Sequence, residues 1–147
     1  ILATRKEDLE VPQEWLKVIG KADGSRKKII LYNTGIAALL AYDEKWVDKI
    51  ENALNTFKEN QDEVALLWRP HPLIESTMQS MRPAVLQKYT MLKERYLAEG
   101  WGIYDETADV DRAVVLSDAY YGDGSSVVQL YQQTGKPVMI QNVEIIL

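Results

Sequence analysis

Cysteine is absent from this 147-residue chain, and histidine occurs once, at position 71. Without cysteine there is no disulfide framework, no thiol nucleophile and no thiolate zinc site. The absence also suits a reducing compartment. No apolar run approaches the ~20 residues that span a bilayer. The sequence opens at Ile1 without a signal-like segment, which leads us to expect a piece of a longer cytoplasmic chain. A basic surplus is lacking too: 17 Lys and Arg stand against 22 Asp and Glu, for a net charge of −5. That balance argues against nucleic acid or an anionic membrane as the main partner. There is no Gly-rich Lys-Ser/Thr phosphate loop, and no Gly-x-Gly-x-x-Gly follows the first apolar run. A nucleotide hydrolase or dehydrogenase is therefore poorly supported. The histidine has no carboxylate company at ligand spacing, so neither metal nor other cofactor is expected.

What is present is a regular alternation of short apolar runs and helical patterns in one domain's length of chain. Residues 1–28 are polar and read as an interdomain linker. It carries a short helix that starts with Pro12 in its first turn, presents Trp15 and Ile19, and stops at Gly20. Residues 29–147 read as the domain proper. Ile29-Ile30-Leu31-Tyr32-Asn33 is uninterrupted and apolar, as in a strand covered on both faces. A helix is predicted over 43–60, capped by Asp43, with Trp46, Val47, Ile50, Ala53, Leu54 and Phe57 on one side. Strands follow at 64–68 and 101–104. Between these two strands, a helix begins at Pro83, turns Leu86, Tyr89, Leu92, Tyr96 and Leu97 inward, and ends at Gly100. A brief helix capped by Asp109, a strand at 119–122, a helix after Ser125 and a strand at 137–141 complete the order. Alternating strands and helices with short connections predict a Rossmann-like α/β domain, a parallel sheet flanked by helices.

In such sheets ligands sit beyond the carboxyl ends of the strands. Four groups of residues fall there: Asn33-Thr34-Gly35, Arg69-Pro70-His71, Asp105-Glu106-Thr107 and Asp123-Gly124-Ser125-Ser126. The last is the strongest candidate. Gly124 permits close backbone approach, and Ser125 and Ser126 offer hydroxyls and amides in a first helical turn, which favours an anion such as a phosphate. Asp and Ser are also ordinary capping residues. His71, held between two prolines, is a candidate phosphate contact or acid–base, against the plainer role of bonding loop backbone. Arg69 can grip phosphate bidentately or form an ion pair. Asn33 and Thr34 can touch a ligand or shape a turn. Asp105 and Glu106 are placed at the cleft rim, where one acid can read a ribose hydroxyl, against the plainer role of solvated loop acids. The tryptophans and tyrosines read as packing, Asp109 and Asp118 as caps, and Lys136-Pro137 as the approach to the last strand.

Taken in order, the Lys-Lys-Ile-Ile-Leu-Tyr strand, the Arg-Pro-His-Pro turn, the run Ser117-Asp118-Ala119-Tyr120-Tyr121-Gly122-Asp123-Gly124-Ser125-Ser126 and Thr134-Gly135-Lys136-Pro137-Val138 form a pattern. Over residues 28–141 it resembles the carboxyl-terminal nucleotide-binding domain of the CDP-glycerol glycerophosphotransferases, the teichoic-acid polymerase family of GT-B fold. The resemblance implies a donor-binding half of a transferase. The reaction would move glycerol phosphate or a sugar from CDP-glycerol or a sugar nucleotide to a cell-envelope polymer. It matches His71 to the motif histidine at the donor phosphates, Ser125 and Ser126 to the paired serines, and Asp123 to the acidic residue before them. It also implies that the acceptor site and catalytic base lie in an amino-terminal domain outside this sequence. The isolated chain would then be inactive, and any membrane association would come through the full-length protein. Two departures stand out. Gly124 replaces an aromatic residue, and Asn33-Thr34-Gly35 replaces a Pro-Thr-Phe-Arg-like turn. They keep open an alternative, a degenerate domain that serves as a non-catalytic interaction module.

Overall fold

The computed structural model describes residues 11–21, 23–35, 44–107, 110–122 and 126–140. Its strands are β1 (Lys28–Thr34), β2 (Val64–Pro70), β3 (Ile103–Tyr104), β4 (Ala119–Gly122) and β5 (Val138–Ile140). They form one sheet in the order β3-β2-β1-β4-β5, and every pairing is parallel. The helices are α1 (Gln13–Ile19), α2 (Glu44–Glu59), α3 (Ile74–Met81), α4 (Pro83–Glu99), α5 (Val110–Leu116) and α6 (Ser126–Gln132). The expected parallel α/β architecture is therefore observed. No described helix is long and apolar enough to cross a membrane.

The uninterrupted apolar runs follow from having two covered faces. Successive side chains of a strand point to opposite sides, and each side here meets its own helical layer. Tyr32, Leu66 and Trp68 pack with α2, α3 and α4. Ile29, Leu31, Ala65, Leu67, Ile103 and Tyr120 pack with α1, α5 and α6. All four tryptophans are buried, Trp15 and Trp46 on helices, Trp68 on β2 and Trp101 before β3. Trp68 is enclosed edge-on by Tyr89, Tyr96 and Tyr104 at 5.0–5.8 Å between ring centroids, a geometry favoured by the ring quadrupoles. Trp15 and Ile19 join the second core layer, and Lys27 N–H donates to Ile19 O at 2.8 Å. The short helix of the leading segment is thus packed on the sheet.

Several expected boundaries shift. Pro12 sits at the N-cap of α1, one position before its first helical residue. Asp43, Asp109 and Gln141 lie outside the described residues, and with them the two expected caps and the end of the last strand. The third strand starts only at Ile103, because Trp101 packs edge-on against Tyr96 instead of pairing. Leu97 is 52 % exposed, not inward, since the buried line of α4 runs Val85, Tyr89, Leu92, Tyr96 and position 97 lies about 100° round the helix from it. Helix α3 was not legible as a helix. Its buried residues are Ile74 and Met78 alone, too few for a periodic signal between two prolines. Gly100 does end α4, at φ +68°, the left-handed conformation that glycine adopts without strain.

Candidate functional site

Strand order fixes where a ligand crevice can open. From β1 the chain moves outward through β2 and β3, and the later strands β4 and β5 add on the other side of β1. The switch point therefore lies between the carboxyl ends of β1 and β4, the usual ligand position in open parallel sheets. Thr34 ends β1 and Gly122 ends β4 there. Gly122 has φ +143°, and a Cβ at this position would strike the backbone of Asn33. Only glycine lets β4 leave the sheet this close to β1. Asp123, Gly124 and Ser125, which follow directly, lie outside the described residues, and for Ser126 only its place as the first residue of α6 is described.

The remaining candidates divide by face. Asn33 and Arg69 are register partners and share the side of α1, α5 and α6. Asn33 is buried and donates from Nδ2 to Tyr120 Oη at 3.0 Å. Thr34 is buried on the opposite side, where its Oγ1 accepts the indole N–H of Trp68 at 3.2 Å. Both residues therefore belong to the strand itself, not to a turn. Arg69 is also buried. Its Nη1 donates to Asp105 Oδ2 at 3.1 Å and to Thr107 O at 2.8 Å. Asp105 is 1 % exposed, so it is not at the cleft rim. Its other oxygen accepts the N–H and hydroxyl of Thr107 at 2.9 and 2.6 Å. Burial of both charges is tolerable because each is paired and hydrogen-bonded.

His71 stands on the other side of this edge. Its N–H donates to Thr34 O at 2.9 Å, which ties the end of β2 to the end of β1. Its Nδ1 accepts the Leu73 N–H at 3.1 Å. The loop-backbone bond is real, and it directs the proton of the neutral ring to Nε2. The side chain is exposed and lines a cleft of about 250 Å³ with Glu75, Tyr104 and Glu106. Lys93 from α4 bridges the two carboxylates, at 3.2 Å from Glu75 Oε1 and 2.8 Å from Glu106 Oε1, and lies 4.9 Å from the Tyr104 ring centroid. Partial burial pulls the Lys93 pKa down, but the Glu106 bond and the neighbouring Tyr104 and Glu75 outweigh it and raise the pKa above that of free lysine. Burial pushes the Tyr104 hydroxyl up to about 12. It lies 2.8 Å from Tyr89 Oη.

Glu75, Lys93 and Tyr104 carried no site signal in the sequence. Glu75 lies on the unrecognised helix α3, and Lys93 and Tyr104 sit among core residues. Among the described residues no group of three His, Asp or Glu is placed to hold a metal ion. Two other assigned residues have structural tasks. Asp118 is not a helix cap. Its Oδ2 accepts the Ile29 N–H at 2.8 Å and joins β1 to the start of β4. Lys136 does more than lead into β5, because its ammonium donates to the carbonyls of Val114, Val115 and Ser117. A cation at the carboxyl end of α5 meets carbonyls that the helix leaves unpaired.

A scan of protein-family models, a search of curated proteins and a search of solved structures each find no match to this chain.

Proposed function

We propose that this chain is the donor-binding domain of a transferase that uses a nucleotide-activated substrate of the CDP-glycerol or sugar-nucleotide kind. The observation that carries the reading is the coincidence of the β1/β4 switch point with the point where Gly122 opens into Asp123-Gly124-Ser125-Ser126. Read from the sequence, the Ser-Ser pair after Gly124 would offer helix-start amides and hydroxyls where parallel sheets bind phosphates. His71, tied to the end of β1 and keeping its Nε2–H, adds a donor beside that crevice. The sequence resemblance to the CDP-glycerol glycerophosphotransferases supports the same substrate class. In this account the helix start and His71 stabilise charge on the departing nucleotide phosphate. The acceptor and the base would come from an amino-terminal domain.

A second reading, a domain that keeps the fold as a non-catalytic interaction module, draws on the electrostatics. Arg69 is engaged by Asp105, and two carboxylates line the cleft beside His71. Ligand-observed NMR against CMP, CDP, UDP, CDP-glycerol and an adenine nucleotide separates the two readings, with a Ser125→Ala/Ser126→Ala variant alongside. Pyrimidine-selective binding that the variant loses supports the donor site. A folded chain that binds none of them supports the module.

A further inference from the structure

The helix of the leading segment reaches the carboxyl edge of the sheet through one side chain, Arg112 of α5. Its guanidinium carbon lies 4.5 Å from the centroid of the Trp15 ring on α1. The same guanidinium donates from Nη2 to Thr107 Oγ1 at 3.3 Å and stands 4.0 Å from Asp105 Oδ1. Asp105 and Thr107 are the two residues that Arg69 holds at the end of β2. A continuous set of contacts therefore runs from α1 through α5 to the carboxyl ends of β3 and β2. The Arg112 side chain is 15 % exposed and Trp15 is 7 % exposed, so the indole keeps water from one face of the guanidinium. A cation is drawn more strongly to an indole face when water is excluded, and its attraction to a nearby carboxylate strengthens for the same reason. Removing the ring weakens both. The helix that carries the ring is also easily lost. It has seven residues, fewer than the ~12–15 that an isolated helix needs to persist in water. Its fully buried residues are Trp15 and Ile19 alone, which makes it a unit that opens before the sheet does.

We propose that α1 is a strap whose docking controls the order of the loop at Asp105–Thr107, with Arg112 as the positioning residue that transmits it. With α1 docked, Trp15 holds Arg112 against Thr107 and Asp105, and the loop ties the ends of β2 and β3 together. When α1 lifts, Arg112 loses its cover, and the loop keeps Arg69 but loses the second guanidinium. Anything that draws α1 off the sheet is then felt at the edge where the candidate site residues lie, whatever that edge binds.

Native-state hydrogen exchange followed by NMR tests this on the whole chain. The Thr107 amide, bonded to Asp105 Oδ1, and the Asp105 amide, bonded to Trp68 O, report the loop. The Gly20 amide, bonded to Leu16 O, reports α1. Trp15→Leu keeps an apolar side chain and removes the ring. Exchange at Thr107 and Asp105 should rise about tenfold in it, with the amides of α4 unchanged. Coupling is reciprocal, so Arg112→Met should raise exchange at Gly20 by a similar factor, and Arg112→Lys, which keeps a cation for the ring, should restore part of the protection. In the double variant Trp15→Leu/Arg112→Met the rise at Thr107 should not exceed that of the larger single variant. An arginine that only stabilised its own loop would leave Gly20 unmoved, so unchanged Gly20 exchange in Arg112→Met overturns the strap. So do effects at Thr107 that multiply in the double variant. Where Trp15→Leu opens the whole domain, the Gly20 reading in Arg112→Met decides alone.

Discussion

Arg69 on β2 and Asp105 just beyond β3 form a buried ion pair, Nη1 to Oδ2 at 3.1 Å, with side chains 9 % and 0 % exposed. The pair locks the carboxyl ends of two neighbouring strands and orders the loop through Thr107. An arginine at the ligand edge is thereby assigned to structure. Removing one partner leaves an uncompensated buried charge. Arg69→Met should cost about 3–5 kcal/mol, whereas joint replacement of both residues by apolar ones of similar size should cost far less. Urea unfolding of the two single variants and the double variant checks this; additive losses would contradict it.

Gly122→Ala should destabilise the domain by roughly 3 kcal/mol, through a strained φ and a collision with the Asn33 backbone. The added methyl displaces β4 at the switch point, so nucleotide binding should fall with stability. Thermal unfolding and titration with CDP measure both effects. A variant of unchanged melting temperature would show that β4 leaves the sheet differently.

Much of the fold was legible because the apolar pattern is its direct cause. β1 and β2 are buried on both faces, so their sequences are unbroken, and α2 carries its core residues at helical spacing. Legibility failed where burial involved few residues, as in α3, or depended on contacts distant in sequence. The pairing of Arg69 with Asp105 spans 36 positions, and no local pattern carries it. The same holds for Lys136, whose partners Val114, Val115 and Ser117 lie at the end of α5, about 20 positions earlier. His71 was visible as a candidate from its turn and strand end. Glu106 was visible too, as a rim acid, but its place beside His71 became visible only once β3 was set next to β2, and Glu75 only once Ile74–Met81 was seen to be a helix.

Alkaline pH should weaken the fold through its buried tyrosines. Burial raises the folded-state pKa of Tyr104 from 10.0 to about 12, and burial raises Tyr89 and Tyr96 well above their ordinary value. A group with a raised folded pKa contributes stability that is intact below its unfolded pKa and is lost as pH climbs toward the folded one. Tyr104 alone should account for roughly 2 kcal/mol lost between pH 10 and pH 12. Urea titrations at several pH values should show this decline. Tyr104→Phe should start about 1 kcal/mol lower at neutral pH, for want of the bond to Tyr89, and decline less steeply. An equal slope in wild type and variant would refute the assignment.

His71→Asn separates the two sides of the imidazole. An asparagine side-chain oxygen can still accept the Leu73 N–H, but the Nε2–H is gone. Stability should stay within about 0.5 kcal/mol, while on the donor-binding reading the affinity for CDP should drop about tenfold, the effect of one charge-assisted hydrogen bond. Unchanged affinity in a stable variant would remove His71 from the proposed site.

Amide chemical-shift mapping of the isotope-labelled chain during titration with CDP and UDP tests the donor-site claim most directly. The account predicts saturable shifts concentrated at residues 33–35, 71 and 122–128, around the β1/β4 switch point, and their loss in Ser125→Ala/Ser126→Ala. Shifts confined to the α2–α4 surface around Glu51, Lys88 and Met91, or no shifts with either nucleotide, would contradict it.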